Sequence, residues 1–189
     1  GRGWTLAATR SGVKVGVAVL EGRLYMKPNE CFFRAVDAAL DDLRRQTNVI
    51  LVEMHAEATS EKVALGWYLD GKVSFVYGTH THVPTADGGI LPGGTAYLTD
   101  LGMTGPYDSV LGRNKTKVIR SLKTGMPTMY DIAQDDMRVG GAAVTIDSAS
   151  GRAVAFEQVF LPEAALAEWA KEFKAEVPAP DAAASPDEE

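Results

Sequence analysis

Residues 48–80 read NVILVEMHAEATSEKVALGWYLDGKVSFVYGTH. NVILVEMH is a continuous apolar run of strand length, TSEKVALGWYLDGK reads as a helix with Thr59 or Ser60 as its cap, and VSFVYGTH is a second apolar run. Strand, helix, strand makes a βαβ unit. Its parallel strands are buried on both faces, which is why the runs are uninterrupted, and the carboxyl edge of such a sheet is the natural place for a site. Trp67 and Tyr68 fall in the middle of the helix, where an aromatic side chain more often belongs to the core than to a ligand platform.

Both apolar runs end at histidine. The chain has three histidines, and His55 closes the first run while His80 and His82 follow the second, all on one edge of one predicted sheet. In extended backbone, residues two apart point to the same side, so His80 and His82 are expected to face a common ion with Thr81 turned away. Three neutral imidazoles suit zinc, iron or manganese and leave coordination positions open, as a catalytic site needs. The alternative is a set of surface or hydrogen-bonded imidazoles; the convergence of all three on one edge favours the metal.

Around these residues other readings stay open. Asp100 ends a short strand, Thr95 to Thr99, and either supports the site from behind its ligands or caps a turn. Glu57 either orients a ligand histidine or carries a proton, or else is a solvated loop residue. Backbone N–H groups near Thr59 and Ser60 either hold an anion such as phosphate or face water.

Outward from this centre, WTLAATRSGVKVGVAVLEG reads as a hairpin turning at Ser11 and Gly12, with Val13, Val15, Val17 and Val19 on one face. Asn29 to Gln46 reads as a helix with apolar Phe32, Phe33, Val36, Ala39, Leu40 and Leu43, ending in basic residues. VGGAAVTIDSASGRAVAFEQVFL reads as two strands around Ser148 to Gly151. Asp87-Gly88-Gly89 and Pro92-Gly93-Gly94 are turn signals.

The 189 residues divide into a domain over 1–161 and an acidic tail over 162–189. The formal charge of −6 belongs to the tail, which holds eight acidic and two basic residues, leaving 17 of each sign in the domain. This charge balance gives no footing for nucleic-acid binding through bulk positive charge. In the tail, EAALAEWAKEFKAE has helical spacing with Leu166, Trp169 and Phe173 on one stripe, and PAPDAAASPDEE reads as disorder. No apolar run reaches membrane-spanning length. A single cysteine, Cys31, excludes an internal disulfide, fits a reducing compartment and so a cytoplasmic location, and is expected as core filler.

Taken together, EGRLYMKPNECFFRA, HAEATSEKVALGWYLDGKVS, GTHTHVPTAD and ILPGGTAYLTDLGMTGPYDSVLG resemble the YmdB-like branch of the calcineurin-like metallophosphoesterases, in the family's order and over most of residues 1–161. The resemblance implies a four-layer α/β/β/α sandwich with two metal ions, iron or manganese first and zinc as an option, and hydrolysis of phosphodiesters of the 2',3'-cyclic nucleotide type. It further implies that His55 and His80 ligate one metal and His82 the other.

The family's G-D, G-E-N and G-N-H motifs do not occur here. With them go the bridging carboxylate, an asparagine ligand and the histidine that protonates the leaving group, so the general acid is not assigned to any residue of this chain. YMKPNECFF also departs from the family's P-L-D wording around Pro28. Together with the missing initiator Met, this predicts an N-terminally truncated domain, active with the missing segment in cis or from a partner chain, and compatible with a homo-oligomer. The competing expectations are a non-catalytic metal-binding or interaction module and a mononuclear three-histidine hydrolase.

Overall fold

The computed structural model describes residues 2–27, 30–166 and 168. Two sheets are formed. The larger runs β1 (Trp4–Ala8), β2 (Lys14–Glu21), β3 (Ile50–His55), β4 (Phe75–Thr79), β6 (Ala96–Leu98), β5 (Gly89–Ile90) in spatial order. β2, β3, β4 and β6 are parallel, and β1 and β5 close the edges antiparallel. The smaller sheet is antiparallel: β7 (Gly105–Pro106), β8 (Met137–Ile146) and β9 (Ala153–Pro162).

Helices α1 (Phe32–Leu43) and α2 (Thr59–Leu69) are the crossovers between β2, β3 and β4, so the expected βαβ unit is present and a second one precedes it. Alternation along β3 sends Ile50, Val52 and Met54 to the helices, where they join Val36, Leu40, Leu43, Leu65 and Leu69. Each such side chain contributes about 1.5–3 kcal/mol when fully buried. On the other face, Phe75, Ala96 and Leu98 meet Ala142, Val144, Ala153 and Phe156 of the smaller sheet. Leu51 of β3 packs against this second cluster only partly buried, so β3 has a buried face toward the helices and a half-buried one opposite.

Several expectations change in three dimensions. On β2 the buried residues are Gly16, Ala18 and Leu20, while Val15 and Val17 are half-buried and Val19 is exposed. The helix side admits only small residues at Gly16, where a Cβ would meet Leu43 at 2.9 Å. Trp67 and Tyr68 are not core: the inward stripe of α2 is Glu61, Lys62, Leu65, Gly66 and Leu69, which turns both aromatics outward. Tyr68 packs edge-on to Phe33 and donates its hydroxyl to Asp37. Cys31 is half-buried at the N-cap of α1, where hydrogen bonds from the backbone of Arg34 and Phe33 lower its thiol pKa; it fills no core space. The basic pair Arg44 and Arg45 lies past the last helical residue, and the Arg44 guanidinium donates to the Lys72 carbonyl.

Glu163 to Leu166 are helical, whereas Trp169 and Phe173 lie outside the described residues, as does Pro28. Among the described residues no helix is long and apolar enough to cross a membrane.

Candidate functional site

At the carboxyl edge of the larger sheet, Glu21, His55 and Thr79 stand side by side on β2, β3 and β4. The Thr79 hydroxyl donates to Glu53 Oε1 at 2.7 Å, so it can only accept from His55 Nδ1, 2.9 Å away. That places the proton of the neutral ring on Nδ1 and the lone pair on Nε2. His55 Nε2 in turn lies 3.1 Å from His80 Nδ1, with the two rings edge to face. His80 Nε2 is 3.2 Å from Glu57 Oε2. A chain of polar contacts therefore runs Glu53, Thr79, His55, His80, Glu57, from half-buried sheet to exposed loop. Burial, with the Glu53 charge adding to it, holds the neighbouring Tyr77 phenol above its usual pKa.

The loop after β4 is not extended. His80 has φ 99° and His82 φ 65°, both in the left-handed region that non-glycine residues rarely adopt. Such conformations cost about 1–3 kcal/mol each and persist where the surroundings impose them. Here the surroundings are Asp100. Its buried carboxylate accepts from the Thr81 backbone N–H at 3.1 Å, the Thr81 hydroxyl at 2.7 Å, Gly102 N–H at 2.9 Å and Lys62 Nζ at 2.7 Å.

The period-two expectation for His80 and His82 is therefore overturned. The chain bends between them, and His82 is exposed with Nδ1 3.2 Å from the Leu111 carbonyl, not against the His55–His80 pair. Asp100 touches neither imidazole but holds the residue between two of them. Thr59 and Ser60 are exposed in the first turn of α2, Ala58 is the N-cap, and no side chain caps the helix. The carboxylate of that turn, Glu61, folds back to accept the N–H groups of Arg23 and Leu24, which fixes the loop after β2.

The donor set was weighed against a metal. At the bonds of about 2.0–2.1 Å usual for imidazole, two nitrogens 3.1 Å apart subtend close to a right angle at an ion. His55 and His80 thus suit adjacent positions on one metal, while Glu57 meets the opposite ring nitrogen of His80. Among the described residues, no group of three or more His, Cys, Asp or Glu is disposed to hold an ion. The pair fits a metal; a full coordination shell takes further donors.

Glu53, Thr79, Lys62 and Glu61 are residues that sequence reasoning passed over. Glu53 carried a signal, since it lies two before His55 and so on the same strand face. Thr79 carried none, because its role depends on the register between β3 and β4.

With this geometry in hand, the chain was compared with known proteins. The family model described as YmdB-like protein matches residues 1–159. A Bacillus subtilis (strain 168) protein named 2',3'-cyclic-nucleotide 2'-phosphodiesterase is 43% identical over 151 residues, covering 80% of this chain and 57% of its own length. A crystal structure of a hypothetical protein from Thermus thermophilus superimposes with TM-score 0.79 at 40% identity, covering 85% of this chain and 62% of that one. A structure titled as a novel phosphatase, from Mycoplasma pneumoniae, gives TM-score 0.75 at 32% identity, covering 85% and 57%. In each case the chain spans less than two thirds of its relative.

Proposed function

The chain belongs to the YmdB-like family, and from that premise we propose that it carries the histidine part of a metal-dependent phosphodiesterase acting on 2',3'-cyclic nucleotides. The observation that carries this reading is the His55–His80 pair, set at metal-sharing distance on the carboxyl edge of the sheet. The relatives' names supply the substrate class.

In this reading His55 and His80 hold one ion and His82 a second, iron or manganese before zinc, since imidazole accepts all three. Bound ions supply Lewis-acid charge neutralisation at the phosphoryl oxygens and a lowered pKa for water. The chain's own residues do the positioning. Glu53 and Thr79 fix the tautomer of His55 so that its lone pair faces outward, as partners behind a metal-ligating imidazole generally do. Asp100 holds Thr81 and with it the strained backbone on either side. The Leu111 carbonyl aligns His82, and Glu57 stands where it can accept a hydrogen bond from His80 Nε2.

The remaining ligands, the general acid and the fourth layer of an α/β/β/α sandwich come, on this proposal, from the part of the relatives' length that the chain does not match, in cis or from a partner chain in the cytoplasm. The test is metal content and hydrolysis of 2',3'-cyclic AMP, measured on the 189 residues alone and on the same chain joined to the unmatched part of the Bacillus subtilis relative. Metal uptake lost on His55→Ala or His80→Ala, with turnover only in the joined protein, is the expected result. Metal content indifferent to both substitutions would sink the site. Turnover by the 189 residues alone would instead assign the missing roles to residues of this chain, Glu57 first.

A further inference from the structure

α3 (Lys115–Thr124) is the helix least used by the fold: of its ten residues only Val118 is buried. Ile119 and Leu122 are exposed on its outer side, and Met126, Met129 and Ile132, in the segment that follows, are exposed as well. Thr116, Ile119, Arg120 and Lys123 line a shallow hollow of about 390 Å³ on that side. The helix is also basic, with Lys115, Lys117, Arg120 and Lys123 and no acidic residue. Lys115 and Lys117 pair with Asp108 and Asp131, whereas Arg120 and Lys123 have no carboxylate partner among the described residues. An apolar strip beside unpaired cations is a surface of defined chemistry.

The tail has the complementary pattern. In helical projection Leu166, Trp169, Phe173 and Val177 form one stripe, and Glu168, Glu172 and Glu176 form a second immediately beside it. Residues 162–189 lie past the family match, which ends at 159, so the family's shared architecture gives this segment no place. The exit point is favourable too. Pro162 pairs with Arg138, whose guanidinium binds Asp136, and the chain between Asp131 and Asp136 is the strap that anchors α3, through Asp131 O accepting the Asn114 N–H.

We propose that residues 166–177 dock as an amphipathic helix on the outer face of α3, with Trp169 and Phe173 against Ile119 and Leu122 and the glutamate stripe against Arg120 and Lys123. The docked tail braces α3. It thereby braces the loop ahead of the Asn114 cap, whose Leu111 carbonyl meets His82. Charge complementarity of this kind weakens with salt.

Amide hydrogen exchange reads the contact directly. In the full chain at low salt the α3 amides are expected to exchange severalfold more slowly than in a chain ending at residue 168. A peptide of residues 163–189 added to the short chain restores the protection, and 0.5 M NaCl diminishes it. Because Arg120 and Lys123 are exposed, Arg120→Glu with Lys123→Glu leaves the fold intact and abolishes the difference between the two lengths. Equal exchange of α3 in both lengths would overturn the proposal. So would protection that rises with protein concentration alongside a dimer mass in light scattering, since a second copy would then be the occupant.

Discussion

Two polar clusters lie on either side of Thr81 and obey different rules. Beneath it, Lys62 and Asp100 are both about 1% exposed, and the Asp100 carboxylate gathers Lys62, Thr81 and Gly102. Above it, His55 and His80 are half-buried and His82 is exposed; their rings meet one another, the Thr79 hydroxyl, a carboxylate or a carbonyl, and the backbone of His80 and His82 is held at positive φ. The buried cluster contains the stronger charges, yet both side chains are sealed from solvent and closed to a ligand. The exposed one contains weaker bases, but its lone pairs are accessible. In this molecule burial marks scaffold, and accessible nitrogen beside backbone strain marks the site.

The sharpest way to break that distinction is Lys62→Met. It leaves Asp100 buried without its cation and should lower stability by about 3–5 kcal/mol, read as a shift in urea midpoint, while Lys62→Met with Asp100→Leu recovers much of the loss. A small effect of the single change would mean that the pair is not sealed from water. Next in size is Thr79→Val, which removes the hydroxyl between Glu53 and His55. Metal affinity, measured by calorimetric titration of the protein carrying all its ligands, should fall about 10–100-fold with little change in unfolding. An unchanged affinity would show that the relay does not orient His55.

His80→Gly tests strain against function. Relief of the positive φ should raise stability by about 1 kcal/mol in thermal melts with chelator present, while metal content drops. A fall in stability would show that the ring contacts of His80 outweigh its backbone cost. The smallest effect belongs to Asp87, outside both clusters. Burial alone would raise its pKa, but hydrogen bonds from Thr99 and Thr85 outweigh this and the folded value is lowered. A lowered folded pKa stabilises above the unfolded value, near 3.9 for Asp, and that stability is lost as pH falls through the folded value. Asp87→Asn should lower stability slightly at pH 7 and flatten its fall below about pH 4, so that the two proteins converge in acid; an identical acid limb in both proteins would remove Asp87 from the account.

The sequence by itself determined the parallel core, because unbroken apolar runs of strand length on either side of a helix have no other low-cost burial. It determined that His55 and His80 end neighbouring strands, since strand length and order put them on one edge. It also located the net charge of −6, which belongs to residues 162–189. Tertiary structure decided how the edge is used. That Lys62 meets Asp100, 38 positions away, and that Glu53 reaches Thr79 across 26, depends on strand register and helix placement. No local periodicity encodes either. The bend at His80 and His82 was hidden for the same reason: extended geometry is the local default after a strand, and only the distant Asp100 carboxylate, bonded to Thr81, makes the left-handed backbone the lower-energy choice.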